Sequence, residues 1–323
     1  SEIKVCNKND LRHKAKNYKQ YIDSFVGPTL RKMFFEKYPK KIWGIDTKEM
    51  TPDWAPNRIK FRNKILPFYH EQYAAVGKYG TGCVYDRIRN LIEKSGGKFV
   101  FNESVKGIKY TQKKITEILT NKKKYKIKSN EIVISTLPIS LTSNFLGKTN
   151  NLKFRGICSV YLFYKKDQIL PKNHHWLYFD SDKLLFNRIT ENKKLSKFVA
   201  PQNKSYLTAE ITYTQGDSLS KMDPNMVIKK VIEQINLTKI ASIKDLIGAD
   251  INYEPYVYPV QFADYKNEVV RIKSFVESFE NLFSVGAGGE FNYADSQILF
   301  HKSFDLVNSL VNRYSDFVNQ AKN

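Results

Sequence analysis

Three glycines near the end of the chain, Gly286, Gly288 and Gly289, follow a short apolar run of Leu282, Phe283 and Val285. A helical pattern then runs almost to the last residue. A strand, a glycine turn and a helix start together make a phosphate or cofactor site. Backbone N–H groups at a helix N-terminus point at anions, and glycine lets a ligand approach closely. The position is wrong for a first nucleotide-binding unit. A dinucleotide fold opens with a strand, G-x-G-x-x-G and a helix, with an acidic residue about 20 positions on. GKYGTG at 77–82 has the wrong spacing for that fingerprint. GAGGEF at 286–291 puts Phe291 at the third glycine position, and no acid-ended strand follows before residue 323.

Other chemistries find little support. The histidines His13, His70, His174, His175 and His301 make no metal pair with a carboxylate at useful spacing. His174 and His175 are adjacent, so on a strand they point to opposite faces. No serine nucleophile elbow and no P-loop is present. Cys6, Cys83 and Cys158 lie far apart, with neither metal spacing nor a disulfide framework, so a reducing cytoplasm is the expected location. No apolar run approaches the about 18 residues of a membrane span. The first ten residues have no apolar signal-peptide core.

The net charge of +21 raises nucleic acid as a partner. The lysines, however, are spread along the whole chain beside frequent asparagine, which fits compositional drift with a modest preference for anionic ligands. Nucleic acid is not an expected partner. Lys122, Lys123 and Lys124 fall between Ile115, Ile118 and Tyr125, Ile127, and read as a solvated hairpin tip.

The elements that must position the chemistry follow from periodicity. Tyr21, Phe25, Leu30, Phe34 and Tyr38 predict helix over residues 11–38, interrupted at Gly27–Pro28. Thr51–Pro52 reads as N-cap and first helical position. Val84, Ile88, Leu91 and Ile92 form an amphipathic stripe that stops at Gly96–Gly97. Strands are expected at 98–101, 105–110, 115–119, 125–127 and 132–136, the last buried on both faces. A mostly β region runs from Phe154 to Tyr213, with strands at 158–164, 175–180, 184–189 and 206–213. Asp223–Pro224 caps a helix carrying Val227, Val231 and Ile235. In the last helix Phe300, Phe304, Val307, Val311, Tyr314 and Val318 make the expected core stripe.

Seven stretches taken together carry a family resemblance. They are KKIWGID with DWAPNRI (40–46, 53–59), VGKYGTGCVYDRI (76–88), GGKFVFNESVKGI (96–108) and EIVISTLPIS (131–140). HHWLYFDSDKLLFNRIT (174–190), PYVYP (255–259) and VGAGGEFNYADS (285–296) complete the set. In this order they resemble the flavin-dependent amine oxidase superfamily, in particular its protoporphyrinogen oxidase-like and UDP-galactopyranose mutase-like branch. The resemblance implies an α/β fold: an FAD/NAD(P)-binding, Rossmann-like domain that is N-terminally incomplete, lacking its first FAD-binding βαβ unit, with an inserted mixed α+β substrate domain. The expected parts are a helical piece of the substrate domain (1–75), part of the FAD-binding domain (76–150), a β-rich substrate domain (151–270) and a closing FAD-binding strand and helix (271–323).

The same resemblance implies FAD as cofactor and assigns roles. Gly286, Gly288, Gly289, Phe291 and Tyr293 would line the flavin ring and ribityl chain. The helix from Asp295–Ser296 would aim N–H groups at the flavin O2 side. Gly80 and Gly82 would sit near the flavin, Val105 would contact the adenine, and Thr136 and Pro138 would end a strand beside it. The family often has Gly-Arg at the closing turn; this chain has Gly286–Ala287. Arg188 would hold a substrate diphosphate through its planar fork. Trp176, Tyr178 and Tyr256 would stack on substrate, and Tyr258 and Tyr293 would stand with Arg188 at the reaction centre. The expected partners are a small-molecule substrate, a nucleotide sugar leading, and a separate chain that could supply the missing unit. Alternative functions are dehydrogenation of a small molecule by an oxidase and a non-catalytic remnant or half of a split flavoprotein.

Overall fold

The computed structural model describes residues 2–8, 11–59 and 77–314. The expectations at 60–76, His70 and Val318 lie outside them. In chain order the main elements are α1 (Tyr18–Val26), α2 (Lys37–Trp43), α3 (Gly82–Lys94), β1 (Val105–Thr111), β2 (Lys114–Thr120), β3 (Lys124–Lys126), β4 (Val133–Ser135) and α4 (Ile139–Phe145). They continue with β5 (Phe154–Tyr164), β6 (Trp176–Tyr178), β7 (Arg188–Glu191), β8 (Ser205–Tyr213), α5 (Pro224–Leu237), β9 (Leu246–Pro259), α6 (Tyr265–Glu277), β10 (Leu282–Ser284) and α7 (Ser296–Arg313). The chain divides into two units, Ser1–Phe99 with Arg155–Pro255, and Val100–Phe154 with Tyr256–Asn323.

The first unit is built on a five-stranded sheet in the order β6-β7-β8-β5-β9. Alternation sorts its side chains. Cys158, Val160, Leu162, Leu207, Ala209, Ile211 and Ile189 face one way and bury against Val227, Val231 and Ile235 of α5. Each buried aliphatic of that kind contributes about 1.5–3 kcal/mol. Asp223 starts α5 by accepting from the N–H groups of Asn225 and Met226, and Pro224 occupies the first turn. The opposite face carries Trp176, Tyr178, Arg188, Thr208, Glu210 and Tyr161. In the N-terminal helices, Tyr18 and Trp43 pack on Trp54 with ring centroids 5.8 and 5.9 Å away. Gly27 breaks the expected helix at φ 87°, where Pro28 starts a new turn. The Thr51 hydroxyl caps the short helix at Pro52–Trp54.

The second unit holds an antiparallel three-stranded sheet, β1-β2-β3, and a parallel pair, β4 with β10. Ile108, Ile115, Ile139, Ile272, Val276, Leu282 and Phe291 form its core. Lys122 and Lys123 are exposed at the β2–β3 hairpin tip, as expected. Asn281 ties the two sheets together. Its Oδ1 accepts from the Ile115 N–H at 2.7 Å, and its Nδ2 donates to the carbonyls of Ile115 and Glu131.

Four expectations need correction. Residues 98–101 form no strand; the first strand of this region begins at Val105. The strand at 132–136 is not buried on both faces: Ile134 is 45% exposed, since β4 pairs only with β10 among the described residues. Residues 184–187 are not a strand. Lys41 takes the Leu184 and Phe186 carbonyls at 2.6 and 2.7 Å, and Gln234 takes the Leu185 N–H at 2.8 Å. Finally, Phe300, Phe304, Val307 and Val311 are exposed rather than core, Phe304 by 68%. The helix α7 instead turns its neighbouring stripe inward, burying Leu310 and half-burying Leu299 and Leu306. Similarly, α3 has its expected start and stop but buries none of its residues. The helix α6, unforeseen in the sequence reading, buries Ile272 and Val276.

Candidate functional site

In the second unit the glycine segment does form a strand–turn–helix. The β10 strand runs parallel to β4 in the register Leu282↔Val133, Phe283↔Ile134 and Ser284↔Ser135. The Val285 N–H continues the ladder to the Ser135 carbonyl at 3.0 Å. A single helical turn at Gly286–Gly289 follows at the carboxyl ends of both strands. Each glycine there has a separate reason. Gly286 adopts φ 94°, and a Cβ on it would meet nothing within 4 Å. A Cβ on Gly288 would stand 3.4 Å from the Pro138 backbone and 3.5 Å from the Thr136 carbonyl. One on Gly289 would meet the Ser284 hydroxyl at 2.9 Å, and that hydroxyl donates to the Gly289 carbonyl at 2.7 Å. Thr136, Pro138, Gly286, Gly288 and Gly289 are therefore brought together at one end of a parallel pair. Gly286→Ala should cost about 1–2 kcal/mol from its left-handed backbone alone, with no clash to relieve. A thermal melt of the variant checks this; an unchanged midpoint contradicts it.

Tyr258 and Tyr293 also meet in this unit, with ring centroids 5.5 Å apart. Phe291 sits at φ 52°, the conformation that a glycine at its place would favour. Its ring turns inward, 2% exposed, edge-on to Phe154 at 5.1 Å and tilted against Tyr265 at 6.1 Å. It supports the turn from beneath rather than lining an open surface. Tyr256 stacks on the same Phe154 at 5.9 Å, so it too belongs to this aromatic cluster. Glu290, unnoticed in the sequence reading, pins the turn to α7 through Lys302 at 2.7 Å. Asp295 precedes α7 without a side-chain cap bond, and both it and Ser296 are exposed. Val105 opens β1, half-buried.

Gly80 and Gly82 lie in the first unit, at the start of α3. Gly80 has φ 98° and closes a turn through its N–H to the Gly77 carbonyl at 2.8 Å. The turn leans on the 196–199 loop: the Ser196 hydroxyl donates to the Lys78 carbonyl at 2.6 Å, and the Lys78 ammonium lies 4.6 Å from the Phe198 ring centre.

Arg188 starts β7 and is not alone. Cross-strand register places Tyr178 on one side of it and Glu210 on the other. Its Nε and Nη2 donate to Glu210 Oε1 at 3.0 and 2.5 Å. Burial works to lower the guanidinium's pKa, but the Glu210 carboxylate outweighs it and holds the group above its usual value. The side chain stays 37% exposed. Tyr178 meets Tyr38 edge-on at 5.3 Å, and Trp176 lies one row along, opposite Thr190. Trp176, Tyr178 and Arg188 thus share one open sheet face. Glu210 could have been found from the alternation of Tyr206, Thr208, Glu210 and Thr212 along β8.

Two further cations in this unit were not foreseen. Arg155 is buried, and among the described residues its hydrogen-bond partners are neutral oxygens: the Thr214 and Thr212 hydroxyls and the Lys41 and Ile42 carbonyls at the end of α2. A cation is favoured there by the helix dipole. Lys41 donates to three carbonyls, and burial pushes its pKa down to about 8. Lys41 fixes the loop before β7, and Arg155 fixes the end of α2. Replacing Lys41 with Met should strand those carbonyls and cost about 1–3 kcal/mol, read from urea unfolding; a loss below half of that lower bound contradicts the anchoring role. Among the described residues no cluster of three or more His, Cys, Asp or Glu side chains could hold a metal ion, and no helix is long and apolar enough to cross a membrane.

The residues present suit one wall of a flavin site. An open glycine stands where a ring could approach, strand ends border it, and a helix start follows. At Ala287 they supply no fixed cation. No protein-family model matches the chain, and no curated protein matches its sequence. The fold does have solved counterparts: it is a mixed α/β fold shared with a mutase and with oxidoreductases. A reduced UDP-galactopyranose mutase superimposes with a TM-score of 0.70 over 89% of this chain, at 17% identity. A protein assigned as a protoporphyrinogen oxidase, from Exiguobacterium sp. 255-15, gives 0.61 over 84% at 11% identity. An oxidoreductase from Methanosarcina mazei gives 0.56 over 89% at 16% identity. The chain spans 65% of the length of the first and 62% of the second.

Proposed function

We propose that this chain forms part of an FAD-dependent enzyme of the amine oxidase-like class, with a nucleotide sugar as its leading substrate. The observation that carries this reading is the Gly286–Gly289 turn at the carboxyl ends of β4 and β10. Open α/β sheets bind their ligands in that place. The fold shared with a mutase and with oxidoreductases supports it. When bound, flavin supplies either a nucleophilic nitrogen or a hydride acceptor. The chain's own part is to hold and orient. Gly286 keeps the approach open, Thr136 and Pro138 border it, and Val105 offers backbone to the adenine. The α7 start at Asp295–Ser296 stabilises negative charge. Tyr258 and Tyr293 flank the reacting atoms.

The test is titration of FAD into the purified protein, followed by flavin fluorescence. Saturable binding, weakened at least about tenfold (1.4 kcal/mol) by Gly286→Val, supports the reading. Absence of saturable binding both alone and with a chain supplying a βαβ unit ends it. Exposed Ile134, Phe300, Phe304 and Val307 support such a polypeptide partner on the second unit. FAD binding by the chain alone would remove the need for one.

For the substrate, Arg188 reaches a diphosphate only in competition with Glu210. Arg188→Ala should weaken nucleotide-diphosphate binding about 10- to 100-fold, the range of a charged hydrogen bond of about 1.5–3 kcal/mol. Glu210→Gln should tighten it by freeing the cation. Calorimetry with UDP checks both, and a looser Glu210→Gln complex overturns the diphosphate role. The neutralised pair itself favours the second reading, dehydrogenation of an uncharged small molecule. That reaction consumes an electron acceptor, whereas a mutase needs its flavin reduced beforehand and consumes none.

A further inference from the structure

The first unit holds a second concavity that none of the roles above uses. A cavity of about 500 Å³ lies on the polar face of its sheet, where β5 ends and β8 begins. Tyr161, Phe163, Tyr206, Pro201, Lys204 and Ile247 line it. That size is ample for a small organic ligand. The Tyr206 ring neighbours two others, with centroids 6.0 Å from Phe163 and 6.5 Å from Tyr161. Strand register fixes this, since Phe163 pairs with Tyr206 directly across the ladder.

The outer wall is fixed as well. Lys193, its side chain only 11% exposed, donates to the Pro201 carbonyl at 3.0 Å, the Lys204 carbonyl at 2.8 Å and the Asp167 carboxylate at 2.6 Å. The loop therefore holds its shape without a ligand. Phe163 and Ile247 remain exposed to solvent, on a face whose next positions are Thr208 and Glu210. Aromatic rings alone would accept a flat neutral group or a cation. Lys204 decides the sign. It is exposed, and its ammonium has no carboxylate within ion-pair distance among the described residues. No acidic residue lines the cavity.

We propose that this cavity binds a small aromatic anion, its ring on Tyr206 and Phe163 and its acidic group at Lys204. The site is independent of flavin binding, so its failure and the failure of the enzyme reading are separate results.

The experiment is calorimetric titration of the purified chain with naphthalene-2-sulfonate and with its neutral analogue naphthalene-2-methanol. Saturable one-to-one binding is expected, with the sulfonate favoured roughly fivefold at low salt, the scale of an exposed ionic contact. Lys204→Glu should abolish that preference, and Tyr206→Ala should weaken both ligands about tenfold. Lys122→Ser, at the exposed hairpin tip of the other unit, should change nothing. No saturation at millimolar ligand overturns the proposal, as does sulfonate binding unaltered by Lys204→Glu. The lysine lies on the surface, so its variant keeps the test decisive if Tyr206→Ala fails to fold.

Discussion

Replacing Glu191 with Ala should destabilise the protein by about 3–5 kcal/mol, the scale for stripping one partner from a buried charged network. Glu191 is 0% exposed. Its Oε1 accepts from the Ile169 N–H at 2.9 Å and the Ser205 hydroxyl at 2.7 Å, and its Oε2 from the Leu170 N–H at 2.8 Å. Lys194 stands 3.9 Å away. The carboxylate thus straps the 165–171 segment to the end of β7 and the start of β8. Alanine would leave two backbone N–H groups and a hydroxyl without acceptors in a dry place. Glu191→Gln keeps one acceptor oxygen and should lose less, about 1–3 kcal/mol. Urea unfolding of the three proteins gives the order wild type, Gln, Ala. An Ala variant within 1 kcal/mol of wild type, on that same scale, would show that water replaces the carboxylate at no cost.

The second large effect is at Phe291. Phe291→Ala should cost about 3–5 kcal/mol through the cavity left between Phe154 and Tyr265. The sharper expectation concerns Phe291→Gly. Elsewhere glycine is worse than alanine by roughly 0.5–1 kcal/mol. Here φ is 52°, where any side chain is strained by about 1–2 kcal/mol. The Gly variant should therefore be more stable than the Ala variant, by up to about 1 kcal/mol, reversing the usual order. Paired denaturation curves decide it: an Ala variant equal to or better than Gly refutes the strain. The wild-type ring offsets that strain by filling the core, which explains how a large aromatic occupies a place suited to glycine.

Elements whose partners lie close in sequence were the legible ones. Asp223–Pro224 with Val227, Val231 and Ile235 announced α5 and its buried face, because cap and stripe are local signals. The 115–127 hairpin and the strand–glycine–helix at 282–296 were readable for the same reason. Periodicity also found α7 but chose the wrong stripe. Two adjacent apolar rows run along that helix, and only tertiary packing decides which one faces inward. The Arg188–Glu210 pair was hidden by distance. Its members are 22 residues apart, and meet only through the register of β7 on β8. Lys41 acts across still greater separation, holding carbonyls 140 to 145 residues away. The role of Phe291 needed a backbone angle that no letter code carries. The helix α6 is a different case: Tyr265, Val269, Ile272 and Val276 carry an i, i+4, i+7 pattern that was there to be read.

The outward row on α7 also bears on the protein's life in a cell. Phe300, Phe304, Val307 and Val311 are all exposed, and together they make the kind of surface that folding machinery reads as unfinished. Chaperones and proteases sort proteins by exposed apolar surface, so such a row shortens residence time and lowers abundance wherever it stays uncovered. Any molecule that covers it would set how much of this protein persists, and supply of that molecule would then act as a dosage control.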